Sequence, residues 1–496
     1  MAAIITDVLK KQMMQKVFDE ATTSTEANYY IGIGKSTQWD SSETVPTPID
    51  TPKTIRDARS AIQSMKKVEG TSFVIPRHNW SSGTTYSAYD DNLTGIPSNT
   101  YYVITDENQV YICLQQSRDA TGAAVASTVK PTVTDVVKPF KTADGYKWKF
   151  LYTLSAAKAS KFLSSNFVPV EKVLADSALQ SGADGSNPGS LTASEIEQKQ
   201  VDSNATPGQI VGVVVTNGGT GYSTASPPAV TILGDGDSAT ATATVSGGAV
   251  VKIELDSSAD SCMNMGHGYN FASVSIAAPT SGTTATARAV IGPDSGMGAD
   301  PRDELKSTSL MFNIKPDGEV AAGTVAHNVR KTFLVDQNFR QVALIRNPKY
   351  AQNNINPDDD SGAPPLFTDA SGLALQYLQV DDSSDITGGK FAVGSVITGG
   401  TSGAKAIIDA NDTTTGFNPK LIVHQDSATT GFGRFQGGEQ ITDGANNADL
   451  VDSANGFGFR VSDVEKTSGE IIYIDNRAPV DRTSTTQEDI KVVITL

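Results

Sequence analysis

Short runs of β-branched and aromatic residues, separated by clusters of Gly, Pro, Asn, Asp and Ser, set the pattern of this chain and predict strands joined by turns. NYYIGIG ending at Gly34, YYVI from Tyr101, QVYICLQQ from Gln109 and YKWKFLYTL from Tyr146 are the plainest. Near the C-terminus IIYI (Ile471 to Ile474) reads as a strand. The polar stretch DNRAPVDR after it is expected to break that strand, since Pro479 cannot donate to a ladder. Alternation in IKVVITL then predicts a last strand ending at Leu496, with Ile490, Val492 and Ile494 facing a core. Such a strand ties the terminus into a sheet, whereas untied termini are usually disordered.

Helical spacing is rarer. Ile5, Leu9, Met13 and Val17 lie four apart, one stripe of an amphipathic helix. A second helix is expected from Pro52, capped by Asp50 or Thr51, with its buried face at Ile55, Ala58, Ile62 and Met65. A third should run from about Ser155 to Phe162, and the polar, Gly/Ser-rich segment 177–208 reads as a linker.

Two stretches repeat internally. Gly219, Gly221 and Tyr222 recur as Gly266, Gly268 and Tyr269 at a constant offset of 47, each followed by an Ala/Thr-rich strand. Duplication at this period predicts repeated small β modules. Farther on, KFAVGSVITGGTSGAKAIIDA is echoed by RFQGGEQITDGANNADLVD, with Phe391 and Phe435 as matching anchors.

At 496 residues the chain is too long for one ordinary core, so several domains are expected. With 39 Lys and Arg against 55 Asp and Glu, its formal charge is −16. Binding nucleic acid regardless of sequence requires a basic face, and no Lys/Arg cluster supplies one. The nearest candidates, Lys10–Lys11 and Lys66–Lys67, fall on predicted helices, so the acidity reads as a solubility feature. No apolar run approaches the length that spans a bilayer, and MAAIITDVLKKQMMQKVF lacks the basic-then-apolar layout of a secretion signal. Cys113 and Cys262 are too few for a disulfide framework and fit a reducing cytosol.

Sequence chemistry points away from catalysis. GIGKS (Gly32 to Ser36) resembles the tail of a phosphate loop, but the Gly required five positions before Gly34 is Tyr29 and no amphipathic helix follows. The histidines His78, His267, His327 and His424 are scattered. DSCMNMGHGY offers Asp260, Cys262, Met263, Met265 and His267 as soft and imidazole donors, yet the first repeat has no counterpart to them, and a plain turn is expected. Asp358 to Asp360 and GDGDS (Gly234 to Ser238) lack an alternating calcium loop with a terminal Glu. Gly-x-Ser-x-Gly and His-Glu-x-x-His are absent. Trp39, Trp80 and Trp148 could stack on sugars, although core packing is the simpler role. No catalytic, cofactor-binding or metal-ligating residue is assigned.

Five strings resemble, in order, the baseplate wedge subunit family of T4-like contractile-tailed bacteriophages (the gene-eight product). They are YIGIGKSTQWDS from Tyr30, VIPRHNW from Val74, DGYKWKFLYTL from Asp144, FRQVALIRNP from Phe339, and SGEIIYIDNRAPVDR from Ser468 with the strand to Leu496. The resemblance implies a mainly β, multidomain β-sandwich framework built from both chain ends, with a few short helices. Small β modules like those of phage tail proteins would be inserted into it. Framework would then occupy 1–90, 296–375 and 456–496, with an inserted β domain at 91–200, the Gly-Tyr repeats at 201–295 and a further module at 376–455. The resemblance also implies a virion protein of the tail baseplate, assembled in the host cytoplasm. It would be a non-enzymatic homodimer contacting neighbours that resemble the gene-seven, gene-ten and gene-six products, with no nucleic acid, membrane or cofactor. The competing expectation is a host-recognition protein whose inserts bind carbohydrate.

Overall fold

A computed structural model describes residues 4–22, 27–94, 100–172, 191–258, 261–316, 333–334, 337–351, 364–381, 391–412, 420–451, 459–460, 462–483 and 488–496. From the N-terminus come α1 (Asp7–Thr22), β1 (Tyr29–Gly34), α2 (Pro52–Ala61), β2 (Ile62–Lys67), β3 (Gly70–Pro76), β4 (Tyr102–Ile104), β5 (Gln109–Gln115), β6 (Phe140–Lys141), β7 (Lys147–Thr153), α3 (Ala156–Phe162) and β8 (Phe167–Val170). The middle holds α4 (Ala193–Ser203), β9 (Ile210–Asn217), β10 (Val230–Gly234), β11 (Ala241–Ser246), β12 (Ala249–Leu255), β13 (Ala272–Ile276), β14 (Thr286–Ile291), α5 (Pro301–Glu304) and β15 (Ser309–Ile314). Next are β16 (Gln337–Arg346), β17 (Lys349–Tyr350), β18 (Ser371–Leu373), β19 (Gln376–Gln379), β20 (Val396–Gly399), β21 (Lys405–Asp412), β22 (Lys420–His424), β23 (Gln440–Thr442), β24 (Asn447–Asp449), β25 (Phe459–Arg460) and β26 (Val464–Glu465). Two strands follow them, β27 (Glu470–Arg482) and β28 (Ile490–Thr495). The fold is mainly β, in several sheets with few short helices. Two compact units divide it, one of residues 1–16, 72–311 and 495–496, the other of 17–71 and 312–494.

In the second unit a five-stranded sheet runs β18-β2-β1-β16-β27. Its core gathers Tyr30, Ile62, Met65, Ala343, Ile345 and Phe367. The Tyr30 hydroxyl reaches the carbonyls of Phe367 and Asp369 at 3.0 and 2.9 Å, so the buried ring carries no orphaned polar end. In the first unit β4-β5-β7-β6 form a sheet whose core is aromatic, with Tyr86, Tyr111, Trp148 and Phe150 fully covered. Cross-strand ring contacts, such as Tyr111 of β5 edge-on to Phe150 of β7 at 5.6 Å, follow from the alternation read in YKWKFLYTL.

Several local expectations change. DNRAPVDR does not end the strand from Glu470; β27 continues to Arg482. A register shift between Phe339 and Gln341 of β16 leaves Arg477, Ala478 and Pro479 bulged opposite Arg340, and β27 lies at the sheet edge. Pro lacks an N–H, but an edge bulge makes no use of one. The helix from Pro52, capped by Thr51, stops at Ala61, so Ile62, Met65 and the Lys66–Lys67 pair lie on strand β2 instead. Segment 177–208 includes helix α4, begun by a capping box in which Thr192 and Glu195 satisfy each other's backbone N–H, and Val201 on it is buried. Met14 is the buried residue of α1, whereas Ile5, Leu9 and Met13 of the apolar stripe are exposed.

The duplicated modules close on themselves. The first Gly-Tyr copy supplies β9, β10 and β11, the second β12, β13 and β14. The ladders are β9 with β14, β10 with β13 and β11 with β12, so each joins one copy to the other. The turns cross over in the same way. Thr220 N–H donates to Thr283 O at 2.9 Å, and its equivalent His267 N–H donates to Asp237 O at 3.2 Å. Gly219 and Gly266 take φ of 64° and 58°, and a Cβ on them would sit 2.4 Å from Thr283 O and 2.3 Å from Asp237 O. Only glycine fits there. The Tyr222 hydroxyl accepts from Ala285 N at 2.8 Å, and that of Tyr269 from Ala239 N at 3.4 Å. Replacing Tyr222 with Phe orphans a buried N–H and is expected to lower module stability by about 1–3 kcal/mol in urea unfolding. Tyr269→Phe, with the longer bond, should cost less.

The second module follows a different plan, in a sheet ordered β24-β23-β20-β21-β22-β19-β25: β20–β21 and β23–β24 pair within their own copies, and β20–β23 joins the two. Matching positions Thr398 and Thr442 face each other across the β20–β23 pairing. Phe391 and Phe435, Ile397 and Ile441, and Ala404 and Ala448 all enter one core with Leu378 and Val380. Because β19 and β25 belong to the sheet, the module extends from Gln376 to Arg460.

Candidate functional site

A cavity of about 300 Å³ lies within the first unit, its wall including Leu114, Val137, Lys149, Met263, Met265 and Met297. Strand β7 places Lys149 there: Lys147 and Lys149 alternate with core Trp148 and Phe150. Gly298 sits close to both α4 and β7, where a Cβ on it would lie 2.6 Å from Val201 and 3.7 Å from the Lys149 stem.

Lys149 is only 3% exposed, and its ammonium donates to Val136 O at 3.2 Å. Burial lowers its pKa from 10.5 to about 8, against the pull of Asp135 and Glu304. Glu304, on α5, is 0% exposed. One carboxyl oxygen accepts from Gly298 N–H while Oε2 has no partner. Burial raises this acid from 4.5 to about 8, so it is largely protonated at neutral pH.

These two groups tilt stability in opposite directions. Between pH 4.5 and 8 the folded chain keeps a Glu304 proton that the unfolded chain has released, so stability falls as pH rises through that window. Between 8 and 10.5 the unfolded chain holds the extra Lys149 proton, and stability rises with pH. Denaturant titrations of Glu304→Gln and wild type should therefore diverge in the variant's favour from pH 4.5 to 8, by at most about 1.4 kcal/mol per pH unit, then run parallel.

The residues singled out from sequence are dispersed. Lys35 adopts a φ of 65° in a turn whose N–H donates to Ala61 O at 2.9 Å, and its amine bonds Thr37, so GIGKS is a strand-ending turn. Ser36 donates to Asp409 at 3.3 Å, and Asp409 also holds His424 Nδ1 at 2.6 Å. A hydrolytic triad needs the imidazole between hydroxyl and acid; here the acid is in the middle, so His424 does not activate Ser36. Of the soft donors, Met263, Met265 and His267 reach the cavity wall. The imidazole lies 3.6 Å from Asp237, and the Cys262 thiol donates to Pro139 O at 3.2 Å. His78 is half-buried with its ring 5.0 Å from that of Tyr102. In GDGDS, Asp235 is consumed by the Asn270 and Phe271 N–H groups. Asp260, His327 and Asp358 to Asp360 lie outside the described residues. Trp148 is core, Trp39 Nε1 donates to Arg477 O at 2.9 Å, and Trp80 Nε1 to Ser127 at 3.2 Å.

Among the described residues no group of three or more His, Cys, Asp or Glu side chains is placed to hold a metal ion. Sequence reasoning missed Lys149 and Glu304. Their signal was weak: a lysine inside an aromatic strand, and an acid in a short Pro-led turn. No protein-family model matches the chain, and no curated protein matches it.

Proposed function

We propose that this chain is a structural subunit of a contractile-tail baseplate wedge, connecting wedge proteins and moving with them as the baseplate rearranges on host attachment. Its role is mechanical, in a homodimer contacting neighbours that resemble the gene-seven, gene-ten and gene-six products. The observation that carries this reading is the placement of three family-like strings. Those from Tyr30, Phe339 and Ser468, far apart in sequence, form the adjacent strands β1, β16 and β27 of one sheet. Sequence resemblance and spatial adjacency thus converge on the same three segments.

Co-expression with the gene-seven-, gene-ten- and gene-six-like products of the same phage tests the proposal. A complex of fixed stoichiometry is expected, with the chain dimeric in light scattering alone. Failure to associate with any of the three overturns it. The purified protein is also expected to show no saturable ATP binding; binding that is lost in Lys35→Ala would reverse the reading of GIGKS as a turn.

Carbohydrate recognition by the inserts is the second reading. It is favoured by two aromatic rings standing in solvent on them, Phe271 at 67% and Phe432 at 69% exposure. Glycan-array signal that disappears when both are changed to Ala would select it.

A further inference from the structure

The cavity of the first unit combines three properties that the assembly role does not use. One is a buried positive charge. The Lys149 ammonium has three donors, of which the carbonyl of Val136 takes one, and it forms no ion pair among the described residues. Removing an ammonium from water without a direct ion pair is costly, so the site favours an anion that can reach it. The second is an apolar stripe in a wall that also carries polar side chains, among them Asn204, Gln209, Ser261 and Asn264. Leu114, Met263 and Met297 are buried and Met265 is partly so, and unbranched thioethers adapt to chains of varying shape. The third is size: about 300 Å³ stands at the lower end of small-molecule sites.

We infer that this cavity binds a short aliphatic carboxylate, its head on the Lys149 ammonium and its chain along Met263, Met265 and Met297. A bare phosphate fits less well, because it leaves the stripe of Leu114, Met263 and Met297 uncovered. Copper fits less well too, since the His267 ring lies beside Asp237 and the Cys262 thiol is spent on Pro139. The acids that pull on the ammonium are Asp135 and Glu304, and burial keeps Glu304 largely protonated near neutral pH.

Hexanoate titrated into the full chain by calorimetry is the test, with acetate and 1-hexanol as head-only and chain-only controls. Saturable one-site binding is expected, at least tenfold tighter than either control, and weakened at least tenfold in Lys149→Met, which keeps the side-chain stem. Hexanoate should also slow reductive methylation of Lys149, read by mass spectrometry on the wild-type chain. Should Lys149→Met fail to fold, Met265→Phe narrows the cavity at its methionine stripe and is expected to abolish binding with the lysine intact. Absence of saturable hexanoate binding, equal binding of 1-hexanol, or an unchanged Lys149 methylation rate overturns the assignment.

Discussion

Removal of Ile490 to Leu496 is expected to yield a chain that misfolds or aggregates, although no candidate site residue is touched. Strand β28 pairs with β15 and buries Ile490 and Val492 at 7% and 4% exposure. Ile494 is half-buried, so the expected alternation holds at the strand's start and relaxes toward its end. Polar contacts add to the ladder: Asn313 bonds Asp489, and Ser309 meets Thr495 at 2.8 Å. Each buried β-branched side chain contributes roughly 1.5–3 kcal/mol. Losing them together with one edge of β15 consumes much of the ~5–15 kcal/mol that holds a typical domain. The exposed edge then offers a template for association. Soluble yield and far-ultraviolet circular dichroism check this. A truncated chain that remains soluble, with its spectrum and melting temperature unchanged, refutes it.

Deleting half of the Gly-Tyr module is expected to do more damage than deleting all of it. Loss of residues 249–291 strips β9, β10 and β11 of their β14, β13 and β12 partners at once. Three unpaired strands with apolar residues such as Ile210, Val211 and Val245 would remain. Replacing 209–292 with a short Gly/Ser linker removes strands and partners together. It breaks a limited set of tethers, among them Arg288 to Asp90 and Asp91, and Lys147 to Leu255 O. Limited proteolysis and soluble yield should therefore rank the larger deletion as the healthier protein. Equal protease resistance of the two would show that one copy folds unaided. For the second module the comparable cut is 376–460; the narrower 385–450 would leave Leu378 and Val380 without their core.

Much of this architecture could be read from the residues, and the failures have physical causes. Alternating aromatics announced β7 because Trp148, Phe150 and Tyr152 all face the interior. Thr51 announced a helix because its side chain can accept a first free N–H group, and the structure shows Ser155 doing the same for α3. α4 was hidden by composition, although its Thr192-x-x-Glu195 pair was present. Strand β2 was hidden because Ile62 and Met65 keep helical spacing with Ile55 and Ala58, and spacing does not reveal where the backbone changes state. Pro479 was misread because the rule against proline weakens at an edge bulge, and edges are set by tertiary order. The cavity was least visible of all. Leu114, Lys149, Met263 and Met297 come from distant segments, and no local pattern links them. Likewise, an offset of 47 reveals which residues correspond but not which ones touch.

That pairing choice has a consequence for how the chain can change over time. In an open array each repeat stacks on the next, so copies can be gained or lost while the remainder stays folded. Here the two copies satisfy each other about a local two-fold relation, each ladder joining one copy to the other, as subunits do in a closed dimer. Recombination between the copies, the usual way tandem repeats expand or contract, would produce one copy without a partner or three with one left over. The number is fixed at two by the geometry. Sequence drift is then constrained in pairs as well: Gly219 must keep room for Thr283 in the other copy, and Gly266 for Asp237.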